Sequence, residues 1–163
     1  MLQLTEELRA LLDERRYATL ATHDPEGMIH LTPIWFLFDG EWFYFESFSG
    51  SRKVKNLERN ASASVVVDAR EPGRERWVSA SGTTEIISGD EAQAINSKVR
   101  RRYLTQDALE DARIEPAFAA GDDVTIRLKP TRWRSWAAKD LDERVFGGIL
   151  GRMPERWFLT VDV

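Results

Sequence analysis

Hydrophobic residues recur at two different periods along this chain of 163 residues. Leu4, Leu8, Leu11 and Leu12 fall at helical spacing, so residues 5–16 read as an amphipathic helix. From Tyr17 the alternation is that of strands. YATLATH is the first, and DPEG at 24–27 turns the chain, because Pro25 pre-sets φ and Gly27 tolerates the exit. MIHLTPIWFLF is a second strand, interrupted by Pro33. A proline has no N–H to give a sheet ladder, so Pro33 marks an edge or a bulge. Asp39-Gly40 is the strongest short hairpin signal in the chain, and EWFYFES returns from it.

Helical spacing comes back over residues 51–60, where Ser51 is the candidate N-cap, Val54 and Leu57 face inward and Asn60 ends the helix. ASASVVVDA is the next strand, REPGRE a loop, and RWVSASGTTEIIS a long strand with a bulge predicted at Gly82. Asp90 to Tyr103 reads as a helix with Ala92, Ile95, Val99 and Tyr103 along one side. TQDALEDARIEPAFAAG reads as helix and turn. DVTIRLKPTRWRSWAA closes the sheet, with Trp133 and Trp136 on opposite faces because they lie three apart. Residues 1–138 therefore read as one domain and 139–163 as a C-terminal tail. In the tail FGGILG reads as flexible, and RWFLTVDV as a last strand or an arm on a partner subunit. Short strands, tight turns and interspersed helices predict a mainly β protein, an antiparallel barrel decorated with helices.

Composition narrows the function classes. The chain is 42% hydrophobic and 31% charged, with a net charge of −4. It carries no apolar run long enough for a bilayer, and its acidic amphipathic N-terminus reads as neither signal nor transit peptide. The absence of cysteine excludes disulfides, thiolate metal sites and a cysteine nucleophile, and fits a cytoplasmic protein. An acidic pI near 5.3 argues against general nucleic-acid affinity, including that of a small barrel for single strands. Six tryptophans and eight phenylalanines exceed what a core of this size needs and suit a flat ligand or a dimer interface.

One junction departs from the acidic balance. After the aromatic strand, FESFSGSRKVKNLERN places Arg52, Lys53 and Lys55 at the start of a helix. A helix N-terminus already presents unpaired N–H groups and partial positive charge, and cations there cost about 0.3–1 kcal/mol each at exposed sites. With Ser51, Arg52 and Lys53 the junction combines a hydroxyl, a guanidinium fork and a point charge, the chemistry of a phosphate site. A solvated basic face balanced by Glu58 is the structural alternative.

The order LTPIWFLFDGEWFYFES…SGSRKVKNLERNASASVVVD, followed by RWVSASGTTEI, resembles the pyridoxamine 5′-phosphate oxidase-like split-barrel family of flavin and deazaflavin oxidoreductases, over roughly residues 5–136. The resemblance implies a six-stranded antiparallel split barrel of Greek-key type and a homodimer with two cofactor sites between subunits. It implies FMN or the deazaflavin coenzyme F420 as cofactor. Ser51, Arg52 and Lys53 would hold the cofactor phosphate, and Glu46 and Ser47 would contact the phosphate–ribityl region. Thr32, Pro33, Ile34 and Trp35 would run beside the tricyclic ring, and Trp77 would line the pocket. The longer tail of F420 would use a basic track, for which Lys55, Arg59 and Arg100 to Arg102 are candidates. The arginine-bearing C-terminal motif of true pyridoxamine phosphate oxidases is not recognisable, so vitamin B6 oxidation is not expected.

No catalytic side chain is predicted. His23 and His30 read as turn and surface residues, and two histidines with scattered carboxylates predict no metal site. No phosphate-binding glycine loop or nucleophile elbow appears. Hydride chemistry at a flavin or deazaflavin needs orientation and water exclusion more than acid–base groups. The expected function is an oxidoreductase acting on a small unsaturated substrate; a cofactor carrier with little turnover is the alternative.

Overall fold

The structure is a computed structural model that describes residues 5–118 and 122–161. Leu4 of the predicted first helix, residues 119–121 of the predicted helix-turn segment and the last two residues of the predicted final strand lie outside the described residues.

Seven strands form a single antiparallel sheet: β1 (Ala18–His23), β2 (Ile29–Ile34), β3 (Leu37–Phe38), β4 (Phe43–Phe48), β5 (Ser62–Ala69), β6 (Arg76–Ile87) and β7 (Asp123–Ala137). Their order is β2-β1-β5-β6-β7-β4-β3. The expectation was six strands; the seventh is the two-residue β3, which the hairpin at Asp39 pairs with β4. Around the sheet lie α1 (Glu6–Asp13), α2 (Arg52–Arg59), α3 (Gly89–Tyr103), α4 (Gln106–Glu110) and α5 (Glu115–Phe118), then α6 (Ala138–Phe146), α7 (Ile149–Arg152) and α8 (Pro154–Trp157).

The connection between β2 and β3 dictates the shape. These are the two edge strands, yet only Trp35 and Phe36 separate them. Three Cα steps reach at most about 11 Å. A flat sheet of seven strands would hold its edges nearly 30 Å apart, at about 4.8 Å per strand. The sheet must therefore curl until its edges nearly meet, which makes a split barrel with its seam at Trp35–Phe36. Pro33 sits on β2, at the edge, opposite Thr19.

Alternation fills the barrel. Leu20, Phe43, Phe45, Val65, Val67, Val78, Ile126 and Leu128 point inward, and Phe36 plugs the seam from within. Leu11 and Leu12 of α1, with Val54 and Leu57 of α2, add to the same core. Trp133 packs edge-on against Phe38 and beside Phe43, while Trp136 on the opposite face is exposed. The predicted bulge is present, but its extra residue is Thr131: Ser81 pairs with Arg132 and Gly82 with Pro130. Gly82 permits the crossing, because a Cβ there would lie 1.9 Å from the Lys129 carbonyl oxygen. In the tail, expected to be flexible at FGGILG, α6 ends at Phe146, Gly147 and Gly148 turn in the left-handed region and α7 follows; of RWFLTVDV, expected as a last strand or an arm on a partner, Arg156 and Trp157 belong to α8. Buried Asp142 organises the tail by accepting from the Leu150 N–H at 3.1 Å and the Gly151 N–H at 2.8 Å. No helix among the described residues is long and apolar enough to cross a membrane.

Candidate functional site

The seam opens onto a cavity of about 380 Å³ lined by Tyr17, Pro33, Ile34, Trp35, Glu46, Ser47, Phe48, Ala117, Phe118 and Asp123. Five expected site residues therefore meet in one place: Pro33, Ile34 and Trp35 from the seam, Glu46 and Ser47 from β4. They meet because the seam returns the β2 edge to β4, although the two strands lie at opposite ends of the sheet order.

The cavity wall is held rigidly. Trp35 stacks on Tyr103 with ring centroids 5.0 Å apart and planes 3° from parallel. The Tyr103 hydroxyl donates to the Arg16 carbonyl at 2.6 Å and accepts from the Phe36 N–H at 3.2 Å. This tyrosine ends α3, so the helix fixes the indole that faces the cavity.

Ser47 connects the cavity to the basic junction. Its Oγ lies 2.9 Å from Ser51 Oγ. Ser51 occupies the N-cap position of α2 but makes no side-chain capping bond, contrary to the role its sequence position predicts. Its hydroxyl is turned toward Ser47 instead. Lys53 is half-buried, and burial pushes its ammonium below the ordinary value. No carboxylate of the described residues lies within 4.0 Å of it. Arg52 is exposed and only loosely paired, 3.7 Å from Asp24. The junction thus offers a cation without a counter-charge beside two hydroxyls, and its residues fit an anionic group. Thr32 does not line the cavity, and its Oγ1 is buried without a partner among the described residues. Trp77 lies on β6 opposite Asp68 and Trp136 and does not line the cavity.

The floor of the cavity was not legible in advance. Arg100 of α3 donates through Nε to Glu46 Oε1 at 2.7 Å and through an η nitrogen to Asp123 Oδ2 at 2.6 Å; the same nitrogen also reaches Glu46 Oε1. Its other η nitrogen donates to the Phe118 carbonyl at 3.3 Å, and the Phe118 ring covers the guanidinium at 4.3 Å. Burial raises the Glu46 carboxyl above its ordinary value, against the pull of Arg100. A clue did exist in the sequence. Ala92, Asn96 and Arg100 follow one another at intervals of four and share the buried face of α3, where polar groups need partners.

Of the residues expected to form a basic track for a longer anion, Arg101 is exposed with no carboxylate of the described residues within 4.0 Å, and the other four are engaged within the chain. Arg100 is committed to its two carboxylates, and Arg102 donates to the Leu12 carbonyl at 2.8 Å and the Glu14 carbonyl at 2.5 Å, capping α1. Lys55 pairs with Glu58 at 3.4 Å, and Arg59 donates to the His23 carbonyl at 2.9 Å.

Solved structures with this geometry carry several descriptions. A conserved hypothetical protein from Mycobacterium tuberculosis, Rv2991, is 28% identical and superimposes with a TM-score of 0.70 over 86% of this chain and 89% of its own. A structure described as an F420 reductase is 27% identical, with a TM-score of 0.62 over 77% of this chain and 94% of that one. HutZ, a haem storage protein from Vibrio cholerae, shares the fold at 17% identity, with a TM-score of 0.63 and coverage of 83% and 95%. No curated protein matches the chain significantly. The family model described as pyridoxamine 5′-phosphate oxidase matches residues 4–137, the entire barrel and its helices α1 to α5, and the chain belongs to that family.

Proposed function

We propose that the chain is a flavin- or deazaflavin-dependent oxidoreductase that binds FMN or F420 at the barrel seam and acts on a small unsaturated substrate. The observation that carries this reading is the adjacency of two features: an aromatic-walled cavity, and an anion-ready junction joined to it through Ser47 and Ser51. Lys53, Ser51 and the first N–H groups of α2 would hold a cofactor phosphate, with Arg52 at the rim. Trp35, stacked on Tyr103, would flank the ring, and Phe48 and Phe118 would exclude water from it. The bound cofactor supplies hydride chemistry; the chain supplies orientation and a dry wall. The likeness to a structure described as an F420 reductase supports a deazaflavin, while the commitment of Arg100 and Arg102 within the chain favours a single terminal phosphate at the junction.

The same reading makes the chain a homodimer. Tyr17, Met28, Ile29, Leu31 and Phe48 are more than half exposed around the cavity mouth and along the unpaired edge β2. A second copy would cover this apolar rim and close the cavity. Sedimentation of the purified protein is expected to give a dimer that loses cofactor as it dissociates; a monomer that retains cofactor at every concentration would contradict the shared site.

The experiment that tests the function is the absorption spectrum and mass of the cofactor copurifying from the native host, followed by titration with FMN and F420. Bound reduced cofactor should be reoxidised by unsaturated acceptors faster than in buffer. Tight binding without that acceleration identifies a carrier, and binding of neither cofactor removes the proposal.

A further inference from the structure

A second cavity, of about 440 Å³, lies on the outer face of the sheet where β7 bulges, and it shares no residue with the seam cavity. Strand alternation supplies one wall. Ser62 pairs with Thr83 and Ser64 with Ser81 across β5 and β6, and all four line the cavity. Their side chains stand on the face opposite buried Val65 and Ala80. The bulge supplies the other wall. Thr131 and Arg132 are neighbours in sequence and would point to opposite faces of a regular strand. Both line the cavity, because the extra residue at Thr131 re-aims them. The lining is rich in donors and holds no carboxylate among the described residues. Arg132 has no carboxylate of the described residues within 4.0 Å and donates no hydrogen bond to them. The hydroxyls of Ser62 and Thr83 also make no hydrogen bond among the described residues. Ser64 and Ser81 bond to each other at 2.8 Å, which uses one of their two hydroxyl protons and leaves the other. In a chain of net charge −4, this guanidinium faces a set of hydroxyl protons with no anion to share.

We propose that this outer cavity binds the phosphate of a small phosphomonoester, with Arg132 as the counter-charge and the hydroxyls of Ser62, Ser81 and Thr83 as donors. A guanidinium offers a fork of N–H groups matched to phosphate oxygens, and charge-assisted hydrogen bonds are stronger than neutral ones. The donors come from three strands, β5, β6 and β7, and so meet an anion from several sides. A tetrahedral phosphate presents oxygens in those directions, whereas a carboxylate presents two in one plane. The cavity is larger than one phosphate, and Ala21 and Ile29 give it an apolar end for the remainder of the ester. None of Ser51, Arg52 and Lys53 lines it, so it fills independently of the junction at the start of α2.

Phenyl phosphate, titrated into the full chain at constant ionic strength and followed by backbone amide chemical shifts, tests the site. Saturable shifts are expected at Ser62, Ser81, Thr83 and Arg132. Arg132→Gln should raise the dissociation constant at least about tenfold, as loss of a charge-assisted pair does, and Ser81→Ala should raise it by a smaller factor. Benzoate, with the same ring and a planar anion of lower charge, should bind at these residues at least about tenfold more weakly. Shifts confined to the start of α2, titrations that do not saturate, benzoate binding as tightly as phenyl phosphate, or an unchanged affinity in folded Arg132→Gln each overturns the inference. Arg132 is exposed, so its replacement removes no buried contact. If that variant does not fold, Ser81→Ala and the benzoate comparison decide.

Discussion

Arg100, which lies beneath the cavity floor, and Lys53, at the neighbouring start of α2, are treated in opposite ways. Arg100 is buried, donates to two carboxylates and a carbonyl, and is covered by an aromatic ring. Lys53 is half-buried with no carboxylate of the described residues within 4.0 Å. Its neighbour Arg52 is 64% exposed in its side chain and reaches Asp24 at only 3.7 Å. Burying a cation is costly unless it is paired, so the arrangement around Arg100 is a completed structure. The junction is incomplete: positive charge at a helix start opposes the macrodipole, and among the described residues no carboxylate compensates Lys53. A cation satisfied within the fold holds the fold together. A cation left unpaired at a helix start is the group that we propose a ligand anion meets.

The comparison breaks most visibly at Arg100. Arg100→Leu strands two buried carboxylates and should cost about 3–5 kcal/mol in urea unfolding at neutral pH. Acidification should recover part of that loss as the carboxylates protonate. A cost below 1 kcal/mol would place Arg100 on the same footing as Arg52. At the other pole, Lys53→Ala should weaken cofactor binding by about 1.5–3 kcal/mol and leave unfolding unchanged or slightly improved. Arg52→Ala should cost less than about 1 kcal/mol, as exposed ion pairs do. Equal losses from Lys53 and Arg52 would show that burial does not distinguish them.

Smaller effects sharpen the contrast. Ser47→Ala removes one hydroxyl of the Ser47–Ser51 pair and should lower cofactor affinity by about 0.5–1.5 kcal/mol, with melting temperature nearly unchanged. The pH dependence separates the carboxylates themselves. Glu71 is held below its ordinary 4.5 by hydrogen bonding to Arg16. Its contribution to stability is therefore present above pH 4.5 and fades as pH falls through the lowered value. Glu46 is raised above 4.5 by burial, so its sign is reversed: stability is lost as pH rises through the raised value. The stability of Glu46→Gln relative to wild type should improve as pH increases above 4.5, whereas that of Glu71→Gln should worsen as pH rises toward 4.5 and level off above it. Parallel curves for the two variants would remove the distinction.

The strands, the first helices and the basic junction were legible in the sequence because their signals are local. Alternation sets which face is buried, a proline marks an edge, and Asp-Gly sets a hairpin, all within a few residues. The helices of the tail were not legible for the same reason. They depend on Asp142 collecting N–H groups eight and nine residues away, which no short-range pattern encodes. Likewise Ser51 has the position of a cap, but a partner four residues back takes its hydroxyl.

The sequence by itself determined that the chain would fold as an antiparallel barrel with helices and would carry a cluster of cations at the start of α2. Only the tertiary structure decided what those groups adjoin. Curling the sheet brings its two edges together at Trp35 and Phe36, and that closure places residues 33–35 against residues 46–47. It also lowers α3 onto β4 and β7, so that Arg100 meets Glu46 54 residues away and Asp123 23 residues away. Charge pairing follows distance in space, and for these groups the distance is set by the closure of the barrel, a property of the whole sheet rather than of any segment of it.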